Sequence, residues 1–176
     1  MYIDKEVNVK VLLTEKEFIF SFIYLQWKSF IFKAICICIM LTAYFFAVYE
    51  MPLFVTISLS IILVFIIMLP LALLVISNRA KKEYKSNYTF QKEATMIFND
   101  SGYTIIRDNN NYNYRDWSDL HSVREAKSGF FLYYSSQTAT YIPKRCFSSA
   151  DSIAFFKELV LNHLSSGKVS FKNHSN

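Results

Sequence analysis

The 176 residues are 53% hydrophobic and carry a formal charge of +5, enough chain for one modest domain plus an anchor. The apolar residues are concentrated: between Lys33 and Arg79 the only charge is Glu50, whereas residues 86–176 hold ten Lys/Arg and eight Asp/Glu. The charge excess flanks this apolar block and no basic stripe interleaves with stacking aromatics, which argues against nucleic acid as a partner and suits anionic lipid headgroups. Three cysteines, two of them inside the block, provide no disulfide framework.

In chain order, "VNVKVLL" (Val7–Leu13) alternates and reads as a strand. Thr14 with Glu17 three residues on forms a capping box, which starts a helix carrying Phe18, Phe22 and Leu25 forward. A lone strand is not stable, so Val7–Leu13 is expected to pair with strands beyond the apolar block. Residues 1–29 mix charges of both signs, unlike a secretory leader.

Phe30–Tyr49 and Met51–Asn78 are each long enough to cross a bilayer, since about 20 helical residues span its ~30 Å core. The alternative, a pair of helices buried in a water-soluble core, requires a polar stripe that "LFVTISLSIILVFIIMLP" lacks. The short connection through Glu50 and Pro52 makes the pair a hairpin, with spans near residues 30–49 and 52–76. Pro70 is expected to kink the second helix or to mark where it leaves the bilayer. Lys28 and Lys33 precede the first span and Arg79, Lys81, Lys82 and Lys85 follow the second, so the positive-inside rule puts both termini in the cytoplasm. Thr42, Thr56, Ser58 and Ser60 are expected to bond back to their own helices rather than across them. Between Ala34 and Asn78 the one charged group is Glu50 at the tip, so nothing in the spans suggests a path for ions or protons.

Past Lys85 the pattern turns to β. Asn87–Phe98 reads as a strand, Asn99-Asp100-Ser101-Gly102 as a turn, Tyr103–Arg107 as the return strand and Asp108-Asn109-Asn110-Asn111 as the next turn. Trp117, Leu120 and Val123 are three apart, which calls for a bulge or tight turn at Trp117-Ser118-Asp119. In "FFLYYSSQTATYIPKRCF" (Phe130–Phe147), Phe130, Leu132 and Tyr134 face one way and Phe131 and Tyr133 the other, both sides apolar. Pro143 ends the last strand, leaving Lys144 and Arg145 either to meet phosphates or to solvate the strand end, the second reading being preferred. Ser148 with Asp151 marks the start of a helix whose Ile153, Phe156, Val160 and Leu164 share a face, and Gly167 is expected to end it.

The expected architecture is an α+β membrane protein. Residues 1–29 supply an N-terminal strand and entry helix, and 30–78 the transmembrane hairpin. Residues 79–165 form a cytoplasmic domain of about six antiparallel strands, a small barrel or sandwich capped by a helix as in pleckstrin-homology-like folds. Residues 166–176 are a flexible tail.

"YNYRDWSDLHSVREAKSGFFLYYSS" followed by "YIPKRCF" resembles the signature of the YcxB-like family of bacterial membrane proteins. The matching positions are Trp117, Ser118, Asp119, Phe130, Phe131, Leu132, Tyr133, Pro143, Lys144, Arg145 and Phe147. Asp116 stands where a proline is expected, and Cys146 where a small or aliphatic residue is usual, a neutral variant rather than a reactive thiol. The resemblance implies a strand and helix, two spans and a C-terminal β domain in the bacterial cytoplasmic membrane, and no reaction.

Three roles were weighed. A hydrolase drawing on Ser118, Asp119 and His121 is disfavoured, because triads are assembled from separate elements. His163 and His174 have no cluster at zinc spacing, and Cys36 and Cys38 lie on different helix faces; no catalytic residue, metal or cofactor is expected. An immunity protein against a membrane-active toxin has no positive sequence feature. The preferred reading is a non-enzymatic membrane-tethered interaction module. Its partners would be the bilayer, anionic headgroups, and a protein or a second copy, with Arg79, Lys81, Lys82, Lys85, Trp117, Lys144 and Arg145 as candidate interaction residues.

Overall fold

The computed structural model describes residues 6–50, 52–107 and 111–172, leaving the side chains of Lys28 and Asn111 aside. Of the turn expected at Asp108–Asn111, residues 108–110 lie outside these and Asn111 begins a strand; residues 173–176, with His174, also lie outside. The chain divides into two compact units, Phe18–Glu83 and a body assembled from Met1–Glu17 with Tyr84–Asn176.

The first unit is helical. α1 runs Glu15–Tyr49, and after a left-handed Glu50 (φ 50°) the chain continues as α2, Leu53–Leu63, and α3, Leu69–Ser86. One wide π turn, Val64–Met68, joins α2 to α3, and the Leu69 N–H donates to the Val64 carbonyl five residues back. This is how Pro70 is accommodated: its ring would crowd the Ile66 carbonyl, and a widened turn moves that carbonyl away. Two segments, Ser29–Tyr49 and Leu53–Ser86, are long and apolar enough to cross a membrane. Thr42, Thr56, Ser58 and Ser60 donate to carbonyls of their own helices, and the Cys38 thiol reaches across, 4.0 Å from the Ser60 carbonyl. Thr56, Ser60 and Val64, four apart, form the buried seam of α2 and the turn after it.

The second unit is a two-sheet sandwich with a helix. Its strands are β1 Val7–Val11, β2 Ala94–Asn99, β3 Gly102–Arg107, β4 Asn111–Arg115, β5 Ser122–Glu125, β6 Gly129–Tyr133, β7 Ala139–Pro143 and β8 Val169–Ser170. One sheet has the order β1-β2-β3-β4, the other β7-β6-β5-β8. The pairing expected of the N-terminal strand is present: Val7 opposes Phe98 and Val11 opposes Ala94. Alternation buries Val7, Val9 and Val11 against Met96 and Phe98 of the same sheet, Val123, Phe130, Leu132 and Ile142 of the other, and Phe156, Leu159 and Val160 of α4, Ala150–His163. Phe156 is the hub, its ring 4.9 Å from Phe98, 5.1 Å from Phe130 and 5.4 Å from Phe147.

Several expectations need correction. The sheets remain separate and no closed barrel forms among the described residues. Among the described residues, 79–165 hold the six strands expected, β2 to β7, but an eighth strand, β8, lies beyond them and pairs with β5 in parallel. Residues Tyr88–Gln91 form a 3-10 turn instead of the start of a strand, because the Asn87 side chain accepts from the Thr89 N–H and the Gln91 amide donates to the Tyr84 and Lys85 carbonyls at the end of α3. α4 is capped one residue later than expected, by a reciprocal Ser149–Ser152 box. It ends before Gly167, because Leu164 turns extended and is buried. The stretch expected as a flexible tail contributes β8, and the Lys172 N–H donates to the Glu125 carboxylate.

Candidate functional site

The Trp-Ser-Asp turn is the 3-10 turn Trp117–Asp119, and it serves the core. The indole is 3% exposed, donates to the Asn99 carbonyl at 3.0 Å, and stacks between Phe98 and the His163 imidazole. Trp117 is thus not presented at the surface. Asp116 caps the turn by accepting from the Ser118 N–H at 2.8 Å, and this bond lowers its carboxyl below the usual range. Its φ of −77° is one that proline also adopts, which explains how either residue serves there.

Lys144 and Arg145 are both engaged within the body. Arg145 grips Glu17 through two parallel bonds, Nε to Oε1 at 2.7 Å and Nη2 to Oε2 at 2.6 Å, and also donates to the Leu12 carbonyl. Glu17 accepts as well from the Thr14 N–H and hydroxyl in the expected capping box. The Arg145 bonds, reinforced by Thr14, outweigh partial burial and lower Glu17 to about 2. Lys144 pairs with Glu125, whose carboxylate is buried and is shared with Lys157 at 2.8 Å. Burial raises the Glu125 pKa, but the two ammonium groups overcome it and the net shift is downward. Both ammoniums also lie over the Phe130 ring. Burial pushes the Cys146 thiol up, away from the thiolate form. Arg79, Lys81, Lys82 and Lys85 are exposed along the last turns of α3. Of the candidate interaction residues, these four are thus exposed, whereas Trp117 is buried and Lys144 and Arg145 are paired with Glu125 and Glu17.

What sequence reasoning missed is a polar corner where the sandwich opens. β3 and β4 pair so that Tyr103 opposes Arg115 and Ile105 opposes Asn113. Residues opposed across a ladder share a face, and alternate residues return to it, so Tyr103, Ile105, Arg107, Asn113 and Arg115 all lie on the core side of their sheet. A cavity of about 280 Å3 lies there, lined by Ile105, Arg107, Asn113, Arg115, Tyr134 and Thr140. The Arg115 guanidinium stands 5.6 Å from the centre of the Tyr134 ring, and the Tyr134 hydroxyl donates to Thr140 Oγ1 at 3.1 Å. Beside Arg115 and Tyr134 sits the Tyr103 hydroxyl, buried and without a hydrogen bond of good geometry. Burial raises its pKa well above the usual tyrosine value; Tyr134 and Asp119 act in the same sense and Arg115 opposes them. The signal was available in "YNYR": its polar residues fall in the register of the core side and its tyrosines on the outside.

A two-sheet sandwich closed by a C-terminal helix, joined in sequence to two long apolar helices, defines an α+β protein with a helical-hairpin insertion. The model of the family described as "YcxB-like protein" matches residues 98–160, from β2 into α4. A curated relative, "Uncharacterized protein YcxB" of Bacillus subtilis (strain 168), is 28% identical over 115 residues, covering 65% of this chain and 62% of its own length. Together they support the resemblance: from β2 into α4 the chain is similar to the YcxB-like family, and it spans less than two thirds of the curated relative's length. No solved structure matches.

Proposed function

We propose that this is a non-enzymatic, membrane-anchored recognition protein. α1 from about Ser29 and the α2–α3 rod cross the bacterial cytoplasmic membrane, both termini lie in the cytoplasm, and the sandwich, of pleckstrin-homology-like plan, binds a protein or lipid headgroups there. The observation that carries the reading is the exposure of the apolar helices: Phe32 is 69% exposed, Met40 71% and Phe54 72%, surfaces that are stable against lipid and costly against water. A water-soluble core helix would bury such side chains. Exposed Lys33 near the start of the first span, the basic run Arg79–Lys85 after the second, and Glu50 between them fit the orientation.

The anchored reading without catalysis is supported by the Ser118, Asp119 and His121 arrangement. Among the described residues these three make no hydrogen bond with one another, the Ser118 N–H being held by Asp116. Reporter fusions at both ends and at Glu50 test the topology. Cytoplasmic signals at both ends with an external signal at Glu50 are expected, and an external signal at either end would overturn the reading. Each exposed basic group near an anionic surface contributes about 1 kcal/mol. Glutamine at Arg79, Lys81, Lys82 and Lys85 together should therefore reduce capture of the reconstituted full chain by anionic vesicles.

A further inference from the structure

We infer that the corner between the two sheets is a binding site for a phosphate-class dianion, either free or as a monoester headgroup. This deepens the recognition role proposed above and is independent of the membrane topology proposed with it.

The argument starts from a strand whose pattern is inverted. On β4 the apolar rings, Tyr112 at 63% and Tyr114 at 57% exposed, face outward, while Asn113 and Arg115 face the side on which the core lies. A slip of one residue would exchange the two sets and bury the tyrosines, so the register kept is the one that core formation alone would disfavour. Tyr114 helps to fix it by donating to the Ser101 carbonyl across the β2–β3 turn. Arg107, Asn113 and Arg115 lie at the open end of the sandwich, where their polar groups stay exposed to solvent and accessible to a ligand. Among the described residues neither Arg107 nor Arg115 has a carboxylate partner, in contrast to Arg145 with Glu17 and Lys144 with Glu125. Besides Ile105 and Tyr134, the wall holds two neutral donors, the Asn113 amide and the Thr140 hydroxyl hydrogen left free when Tyr134 donates to its oxygen.

Two planar forks lining one cavity with neutral donors match the oxygens of a phosphate, which accept a bidentate arginine better than a point charge. The cavity, about 280 Å3, has room for a phosphate with a small substituent.

The test uses the full chain in detergent with inorganic phosphate as probe, measured by titration calorimetry and by melting temperature, with sodium chloride at matched ionic strength as reference. Phosphate is expected to bind and to raise the melting temperature. R107Q/R115Q should weaken binding at least tenfold, and K127Q, at an exposed lysine outside the cavity, should leave it unchanged. R115K, which keeps the charge and the fold but removes the fork, should weaken it severalfold and decides the matter should the double variant fail to fold. No preference for phosphate over chloride, or equal binding by R115K and the parent, overturns the inference, even where the reporter fusions bear out the topology. A second arm adds nanodiscs of phosphatidylcholine with phosphatidic acid, or with phosphatidylglycerol as a diester of like charge. Displacement of phosphate by phosphatidic acid alone assigns the anion to a lipid headgroup, and no displacement assigns it to a free phosphate.

Discussion

Charged residues in this protein differ by what they face. Arg145 and Glu17 meet across 128 positions of sequence, in a geometry that fixes the direction of both side chains. Because the folded Glu17 pKa, about 2, lies below its ordinary value of 4.5, the pair stabilises the fold fully above about pH 4.5 and loses this as pH falls toward 2. The melting temperature of E17Q should therefore lie below that of the parent at pH 7, and the two should converge near pH 2. With Arg145 half exposed, the difference at neutral pH is expected to be about 0.5–1 kcal/mol. Glu125 is the stronger case. Its carboxylate is buried between two ammoniums, and E125Q leaves both without a counter-charge, which should cost about 3 kcal/mol in a denaturant titration. Trp117 belongs to the core: W117A should lose about 3–5 kcal/mol, and vesicle capture should fall only as far as the fold does.

At the scale of elements, local chemistry sets the boundaries wherever two or three neighbouring residues suffice. The Ser149–Ser152 box begins α4, and S149A should cost about 1 kcal/mol. Gly102 closes the β2–β3 turn with φ 156°, and a Cβ there would collide with the Arg115 carbonyl. G102A is expected to destabilise by more than the ~1 kcal/mol of an ordinary glycine replacement, and to disturb the cavity, since it forces β4 away from β3. An elevated melting temperature for G102A would contradict this packing.

At the scale of the molecule, the sandwich is interrupted by the helical unit yet uses both flanks of it. β1 supplies Val7, Val9 and Val11 to the core, and β8 extends the second sheet. A fragment limited to residues 86–165 lacks both strands and should melt without cooperativity. A chimera joining residues 6–17 to 84–172 through a flexible linker should show a cooperative transition. Comparable melting of the two would show that the outer strands are dispensable.

The sequence by itself determined the features that depend on near neighbours: the two apolar helices from length and hydropathy, the Thr14–Glu17 box, the tight turn at Trp117 from its three-residue spacing, and the β character of the C-terminal half. Only the tertiary structure decided which strands share a sheet, that Lys144 and Arg145 are held by internal carboxylates, and that Arg107 and Arg115 open into a cavity. Helix and turn propensities act over a few residues and leave a local pattern. Ion-pair partners and the choice of inner face are set by chain segments brought together from opposite ends, and no spacing along the chain records them.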